Sequence, residues 1–168
     1  MSNFILDSNF FIQAHRIIYP LDVVTGFWNK VKELASEEKI FSIDKVKNEI
    51  YKNEDDLKKW VEVNLSPQFF KDTQLPEVLV NYAKIVQWAQ AKSDFYIQRA
   101  LIDFLEYENA DSWLIAYALT LNKDCILVTQ EVSQPNRKSS IKIPDVCNAF
   151  GIQFMNTIEM FRILRETF

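Results

Sequence analysis

Short apolar runs that stop abruptly at polar residues alternate along the chain with longer stretches of helical periodicity. Such runs occupy Asn3–Leu6, Ile40–Ile43 and residues 125–129, and each has the length of a buried strand. Strands that alternate with helices favour parallel pairing, because each helix carries the chain back to the start of the next strand. We therefore predict an α/β fold with a mainly parallel central sheet of about four or five short strands flanked by helices.

Helical segments are recognised by apolar residues three and four positions apart. Phe27, Val31 and Leu34 follow this spacing. The segment after Asn109 is apolar on almost every face, which is typical of a buried helix. Helices are predicted at residues 22–37, from residue 44, around Trp60, at 75–91, at 94–106, after Asn109, at 144–150 and at 157–166; a last strand is predicted at 152–155 and a surface loop at 132–142.

The composition fits one compact domain. The chain has 168 residues, of which 48% are hydrophobic and 25% charged, and this is enough to build a substantial core. It contains only two glycines, and no Gly/Ser- or Pro-rich run indicates a linker. We therefore expect residues 1–168 to form a single domain.

The sequence predicts no membrane association. Its longest apolar stretches are too short to cross a bilayer, and its N-terminus lacks the basic and apolar regions of a signal peptide. A cytoplasmic location is expected. Cys125, Cys147 and His15 lack the spacing of a zinc site, so the two cysteines are interpreted as reduced packing residues.

Four acidic residues stand where an α/β fold would carry a site. Asp7 directly follows the first predicted strand, and Glu131 follows the most apolar one. Asp111 begins the buried helix, and Glu49 lies on the helix after the second strand. Taken singly, each has an ordinary explanation: a helix cap or first-turn carboxylate for the two aspartates, an exposed ion pair or loop position for the two glutamates.

The sequence around these residues resembles that of PIN domains. Residues 6–12 (LDSNFFI) are similar to the first motif of that family, and Glu49 matches the glutamate of the second. Residues 110–116 (ADSWLIA) and 126–131 (ILVTQE) resemble the third and fourth motifs, except that Glu131 stands where aspartate is common. Two further segments, around Tyr19 and Pro144, are similar to a PIN-like branch described only as a domain of unknown function.

The resemblance implies a three-layer PIN-like fold and a metal-dependent endoribonuclease related to VapC-type toxins. Asp7, Glu49, Asp111 and Glu131 would be both catalytic and metal-binding, with Ser8 and Asn9 orienting Asp7. Oxygen-only ligands favour Mg²⁺ or Mn²⁺, as one ion or two. The implied partners are RNA as the substrate, a cognate antitoxin protein of a type II toxin–antitoxin pair, and a second copy of the chain in a homodimer.

Substrate contacts are harder to assign. The net charge of −4 argues against binding nucleic acid by bulk positive charge, so local cations would be needed. The candidates for phosphate contacts are Arg16, Lys45, Arg137 and Lys138. Aromatic residues at helical spacing, namely Phe27, Trp28, Trp60 and Trp113, are interpreted as core, and His15 as structural.

Two other functions fit the same residues. A catalytically silent PIN-like module would bind RNA or protein and keep the acidic cluster for structure. A nuclease directed at DNA would use the same chemistry as one directed at RNA. Occupation of all four acidic positions favours an enzyme.

Overall fold

The computed structural model describes residues 3–168, so the first two residues of the predicted domain lie outside the described part. Five strands form one parallel sheet in the order β3-β2-β1-β4-β5. The strands are β1 (Asn3–Leu6), β2 (Ile40–Ile43), β3 (Phe70–Lys71), β4 (Cys125–Val128) and β5 (Phe154–Met155). Helices flank this sheet, as the alternation of strands and helices predicts.

The described helices lie in the connections between successive parallel strands, except for the last, which follows β5. They are α1 (Ser8–Gln13), α2 (Thr25–Ser36), α3 (Asp44–Tyr51), α4 (Asp56–Asn64), α5 (Pro76–Ala91), α6 (Gln98–Leu105), α7 (Ala110–Leu121), α8 (Ile143–Phe150) and α9 (Thr157–Leu164). A π-helical turn, Ala14–Ile18, extends α1. Within residues 3–168, no helix has both the length and the apolar character needed to cross a membrane.

Two helices begin later than their periodicity predicts. The backbone N–H groups of Val23 and Val24 both donate to Pro20 O, so a turn occupies residues that were predicted to be helical and α2 starts at Thr25. The N–H of Ile97 donates to Lys138 O, which ties the start of α6 to the distant loop at 132–142. Strand β3 was not predicted, because two residues are too few to show a periodicity.

The core is continuous from the sheet into the helices. Strands β2 and β4 are buried along their whole length, as expected for parallel strands covered on both faces. The predicted packing role of the aromatic residues is confirmed for Phe27, Trp28 and Trp113, which are at most 2% exposed. Half-buried Trp60 packs against Trp28 with the ring centroids 4.9 Å apart.

The two cysteines are free and buried, as predicted. Burial raises the pKa of each thiol to about 12, so both stay protonated and uncharged at neutral pH. They therefore act as small apolar residues in the core.

Shortening a side chain in β4 tests how much the sheet depends on this packing. Leu127 is fully buried between β1 and β5, and we expect Leu127→Ala to lower the free energy of unfolding by about 2–5 kcal/mol through lost contacts and a cavity. Val132→Ala, at a side chain 72% exposed, is the control and should change it by less than about 0.5 kcal/mol. Urea unfolding measures both, and equal effects would contradict the assigned core.

Candidate metal centre

The strand order creates a switch point between β1 and β4. From β1 the chain passes outward to β2 and β3, and it later returns to the other side of β1 as β4 and β5. In open α/β sheets, ligands bind outside the carboxyl ends of the strands at such a point. Asp7 directly follows β1, and Glu131 lies three residues beyond the end of β4.

Asp7 is a fully buried carboxylate that hydrogen bonds hold in place. Thr129 Oγ1 donates to Oδ2 over 3.0 Å, and Ser8 Oγ donates to Oδ1 over 3.3 Å. The Asp7 backbone N–H donates to Val128 O over 3.0 Å. Burial raises the pKa of Asp7 to about 6, because the Thr129 hydrogen bond only partly offsets it and the charges of Glu131 and Glu49 add to it.

Asp111 stands in the first turn of α7. The Asn109 side chain caps this helix by accepting from the Asp111 N–H over 2.9 Å. Burial, and then the negative charges of Asp7, Glu131 and Glu49, raise the Asp111 pKa well above its usual range, whereas Lys142 lowers it. No hydrogen bond reaches its carboxylate from within residues 3–168.

Glu49 joins the helix after β2 to the helix before β4. Its Oε1 accepts from the Ala110 N–H over 3.0 Å, so a carboxylate on α3 satisfies a backbone donor at the start of α7. Glu49 also lines a cavity of about 510 Å³ together with Ser8, Asn9 and Asp111. The predicted motif residues from three separate parts of the sequence therefore share one recess.

Both oxygens of Glu131 are engaged. Oε1 lies 3.1 Å from Lys142 Nζ, and Oε2 accepts from the Ile143 N–H over 2.8 Å at the start of α8. Glu131 thus closes the loop at 132–142 by binding its far end. It lines a second cavity, of about 220 Å³, together with Asp111 and Lys142.

The four carboxylates are close enough to influence one another. Asp7 and Asp111 each feel the charges of Glu49 and Glu131, and such repulsion is relieved by protons or by a cation. Their oxygens are the donors that Mg²⁺ and Mn²⁺ prefer, so the set fits such an ion chemically. Within residues 3–168, however, no three His, Cys, Asp or Glu side chains are already gathered tightly enough to hold one.

The other predicted site residues fall in different surroundings. Ser8 hydrogen-bonds Asp7, and half-buried Asn9 lines the cavity of Glu49 and Asp111. Exposed Arg16 lies on the π-helical turn. In the loop at 132–142, Arg137 bonds Gln134 and Ser139, while Lys138 Nζ lies 5.7 Å from the centre of the Phe95 ring.

Lys45 is only 6% exposed, and its Nζ lies over the Tyr107 ring. The basic residues that line the two cavities of the carboxylates are Lys52, Arg99 and Lys142, which sequence reasoning missed. Sequence reasoning also gave no role to Thr129, although this residue lies within the segment 126–131 that resembles the fourth motif. His15 is half-buried on the π-helical turn, and its Nδ1 has no partner within the described residues.

The chain belongs to the family described as a domain of unknown function, DUF4411, whose model matches residues 4–168. A search of curated proteins found no match. Among solved structures, likewise, none matches the chain.

Replacing Asp7 tests the electrostatic strain at this site. The folded-state pKa of about 6 lies above the ordinary aspartate value of 3.8, so the contribution of Asp7 to stability is fully present below pH 3.8 and is lost as the pH rises through 6. In metal-free buffer at pH 7 to 8, we expect Asp7→Asn to raise the free energy of unfolding by up to about 3 kcal/mol. Unfolding curves between pH 4 and pH 8 measure this gain, which should grow with pH.

Asp22→Asn is the control for this comparison, because Asp22 is exposed on the surface. Its difference from the wild type should stay nearly constant over the same pH range. A gain for Asp7→Asn that does not depend on pH would show that the buried charge is not its cause.

Proposed function

We propose that this protein is a PIN-like, metal-dependent endoribonuclease that hydrolyses RNA phosphodiesters with Mg²⁺ or Mn²⁺. The observation that carries the proposal is the burial of Asp7 beside Asp111 at the switch point of the sheet, with the pKa of both carboxyl groups raised. Like charges in a buried recess need a counter-ion. The order of the acidic motifs resembles that of PIN domains, and this resemblance is the reason for proposing RNA hydrolysis as the reaction.

Asp7 and Asp111 are the proposed main ligands of the ion, because both face the same charges and Asp111 has a carboxylate free of hydrogen bonds within residues 3–168. Glu49 would bind the ion or orient the attacking water, and Glu131 would support a second ion or a ligand water. When bound, the ion would lower the pKa of a coordinated water and neutralise charge on the phosphate. The products would carry a 5′-phosphate and a 3′-hydroxyl.

The residues around the carboxylates have supporting roles. Thr129 and Ser8 fix the orientation of Asp7 through their hydroxyl groups, and partners of this kind tune a metal ligand. Lys52 and Arg99 line the larger cavity and could there meet the phosphates of a bound strand. Lys142 holds Glu131 and offsets part of the negative charge at Asp111.

The biological role is proposed by resemblance to VapC-type toxins. The protein would act as the toxin of a type II toxin–antitoxin pair in the cytoplasm, inhibited by a cognate antitoxin protein, and a homodimer belongs to the same proposal. A nuclease directed at DNA would use the same carboxylates, and a comparison of RNA and DNA strands of one sequence separates the two substrates.

A second candidate function is a catalytically silent PIN-like module. One observation favours it: Glu131 is fully occupied by Lys142 and the Ile143 N–H. A silent module would bind its partner without any metal-dependent turnover. The cleavage assay therefore decides between the two functions.

Cleavage of single-stranded RNA in the presence of Mn²⁺ or Mg²⁺ is the direct test. We expect wild-type protein to cut the strand, EDTA to abolish cutting, and Asp7→Asn or Asp111→Asn to lower the rate by more than about 100-fold, since loss of a ligand should exceed the loss of its supporting partner. Asp22→Asn, at the surface, should retain the wild-type rate. Wild-type protein that cuts no faster than the Asp7 and Asp111 variants would refute the enzyme.

Thr129 offers a finer test of the same site. Thr129→Val removes the hydroxyl that donates to Asp7 Oδ2 while it keeps the shape of the side chain, and we expect the affinity for Mn²⁺ and the cleavage rate to fall by about 10–100-fold. Thr129→Ser keeps the hydroxyl and should stay close to the wild type. Mn²⁺ titration by calorimetry measures the effect, and equal affinities of the Val and Ser variants would contradict this role.

A further inference from the structure

Tyr107 is an exposed aromatic residue at the edge of the candidate metal centre. It lies in the turn between α6 and α7 and is 57% exposed. Its neighbours Glu106 and Glu108 line the same cavity as Glu49 and Asp111. Nothing in the proposed hydrolysis uses this ring.

Lys45 covers one face of the Tyr107 ring. Its Nζ lies 3.5 Å from the ring centroid, although the Lys45 residue itself is only 6% exposed. Within residues 3–168, this ammonium group forms neither an ion pair nor a hydrogen bond. Its close contacts there are aromatic, with the Trp113 centroid at 5.3 Å, which is the geometry of a cation–π interaction.

Trp113 packs on the same side of the ring as Lys45. The Tyr107 and Trp113 centroids are 5.7 Å apart, and Lys45 Nζ is within 3.5 Å of the first and 5.3 Å of the second. These three distances require Trp113 to lie toward the Lys45 side. Lys45 and Trp113 thus cover one side of the ring, and the 57% of Tyr107 that is exposed is expected to include the opposite face.

The backbone of Tyr107 is held in place as well. Trp113 Nε1 donates to Tyr107 O over 3.1 Å, and Trp113 is itself stacked on Tyr82 at 3.7 Å. An exposed aromatic residue that is held on one side presents its free face with little further loss of conformational freedom. Such a preorganised face suits stacking.

The position of this face relative to the carboxylates indicates what stacks on it. Lys45 and Glu49 are four residues apart on α3, so they lie on one side of the helix about one turn, or about 6 Å, apart along its axis. Lys45 contacts Tyr107, and Glu49 bonds the start of α7 beside Asp111. The Tyr107 ring therefore lies close enough to the carboxylates for a strand bound there to reach it.

We propose that Tyr107, held by Lys45, is the stacking platform for an unpaired base of the nucleic acid, so that the site selects single-stranded substrate. This inference rests on the proposed function, because it assumes that the carboxylates bind a nucleic acid strand. A base in a duplex is stacked and paired already, whereas an unpaired base has a free π-face for the ring.

Binding of a fluorescent single-stranded RNA by the full chain carrying Asp111→Asn tests the proposal without cleavage. On this background, Tyr107→Leu should weaken binding about tenfold, because the stack is lost, while Tyr107→Phe should bind like its parent. An abasic strand of equal length should bind the three proteins equally. A 2-aminopurine base in the strand should be quenched by the parent and not by Tyr107→Leu.

Equal affinities of the Leu and Phe variants for the RNA would overturn the proposal, and so would an equal loss for the abasic strand or a failure of the parent to bind. Thermal unfolding of each variant checks its fold. If the Leu variant does not fold, quenching of 2-aminopurine by the parent and by Tyr107→Phe still tests the stacking. The two proposals fail separately. If wild-type protein shows no metal-dependent cleavage but still stacks an unpaired base on Tyr107, the proposed nuclease activity is refuted and the stacking platform stands.

Discussion

The pairing of β1 with β4 is the interaction on which the site depends. Their parallel register brings the end of β1 beside the end of β4, and two contacts continue the pairing beyond the strands: the Asp7 N–H donates to Val128 O, and Thr129 Oγ1 donates to Asp7 Oδ2. Because β1 is in the middle of the sheet, protein surrounds Asp7, which directly follows this strand. The same geometry that buries this carboxylate raises its pKa.

Around this point, helices contribute the other charges at fixed positions. Glu49 bonds the backbone of Ala110 at the start of α7, and Glu131 bonds that of Ile143 at the start of α8. Two glutamates therefore act as links between elements as well as candidate ligands. Each of these oxygens has a second lone pair, so an ion bound there would share the oxygen with the backbone N–H group, and ion binding would be coupled to local structure at these helix starts.

The fold could be predicted from the sequence because its signals are local. The apolar runs of β1, β2 and β4 are complete within a few residues, and the helices follow their apolar spacing. The missed features depend on distant contacts instead: the delayed start of α6 follows from the bond between Ile97 and Lys138, and β3 exists as two residues paired beside Ser42 and Ile43.

For the candidate site, the sequence predicted positions but not contacts. The four acidic positions could be named from their motifs, and the structure brings their charges together. Their partners could not be named, because the bond of Glu131 to Lys142 and the contact of Lys45 with Tyr107 are set by packing in three dimensions. Lys45 was a candidate for phosphate contact, and its burial against two aromatic rings cannot be seen in a single sequence.

The order of the strands also has a consequence for the chain as it is synthesised. Asp7 and Thr129 are separated by 122 positions, so the central strand leaves the ribosome long before the strand that completes its edge. At about 5–20 residues per second, this interval lasts on the order of ten seconds. During that time the acidic recess does not exist, and any activity housed there begins only when nearly all of the domain has been translated.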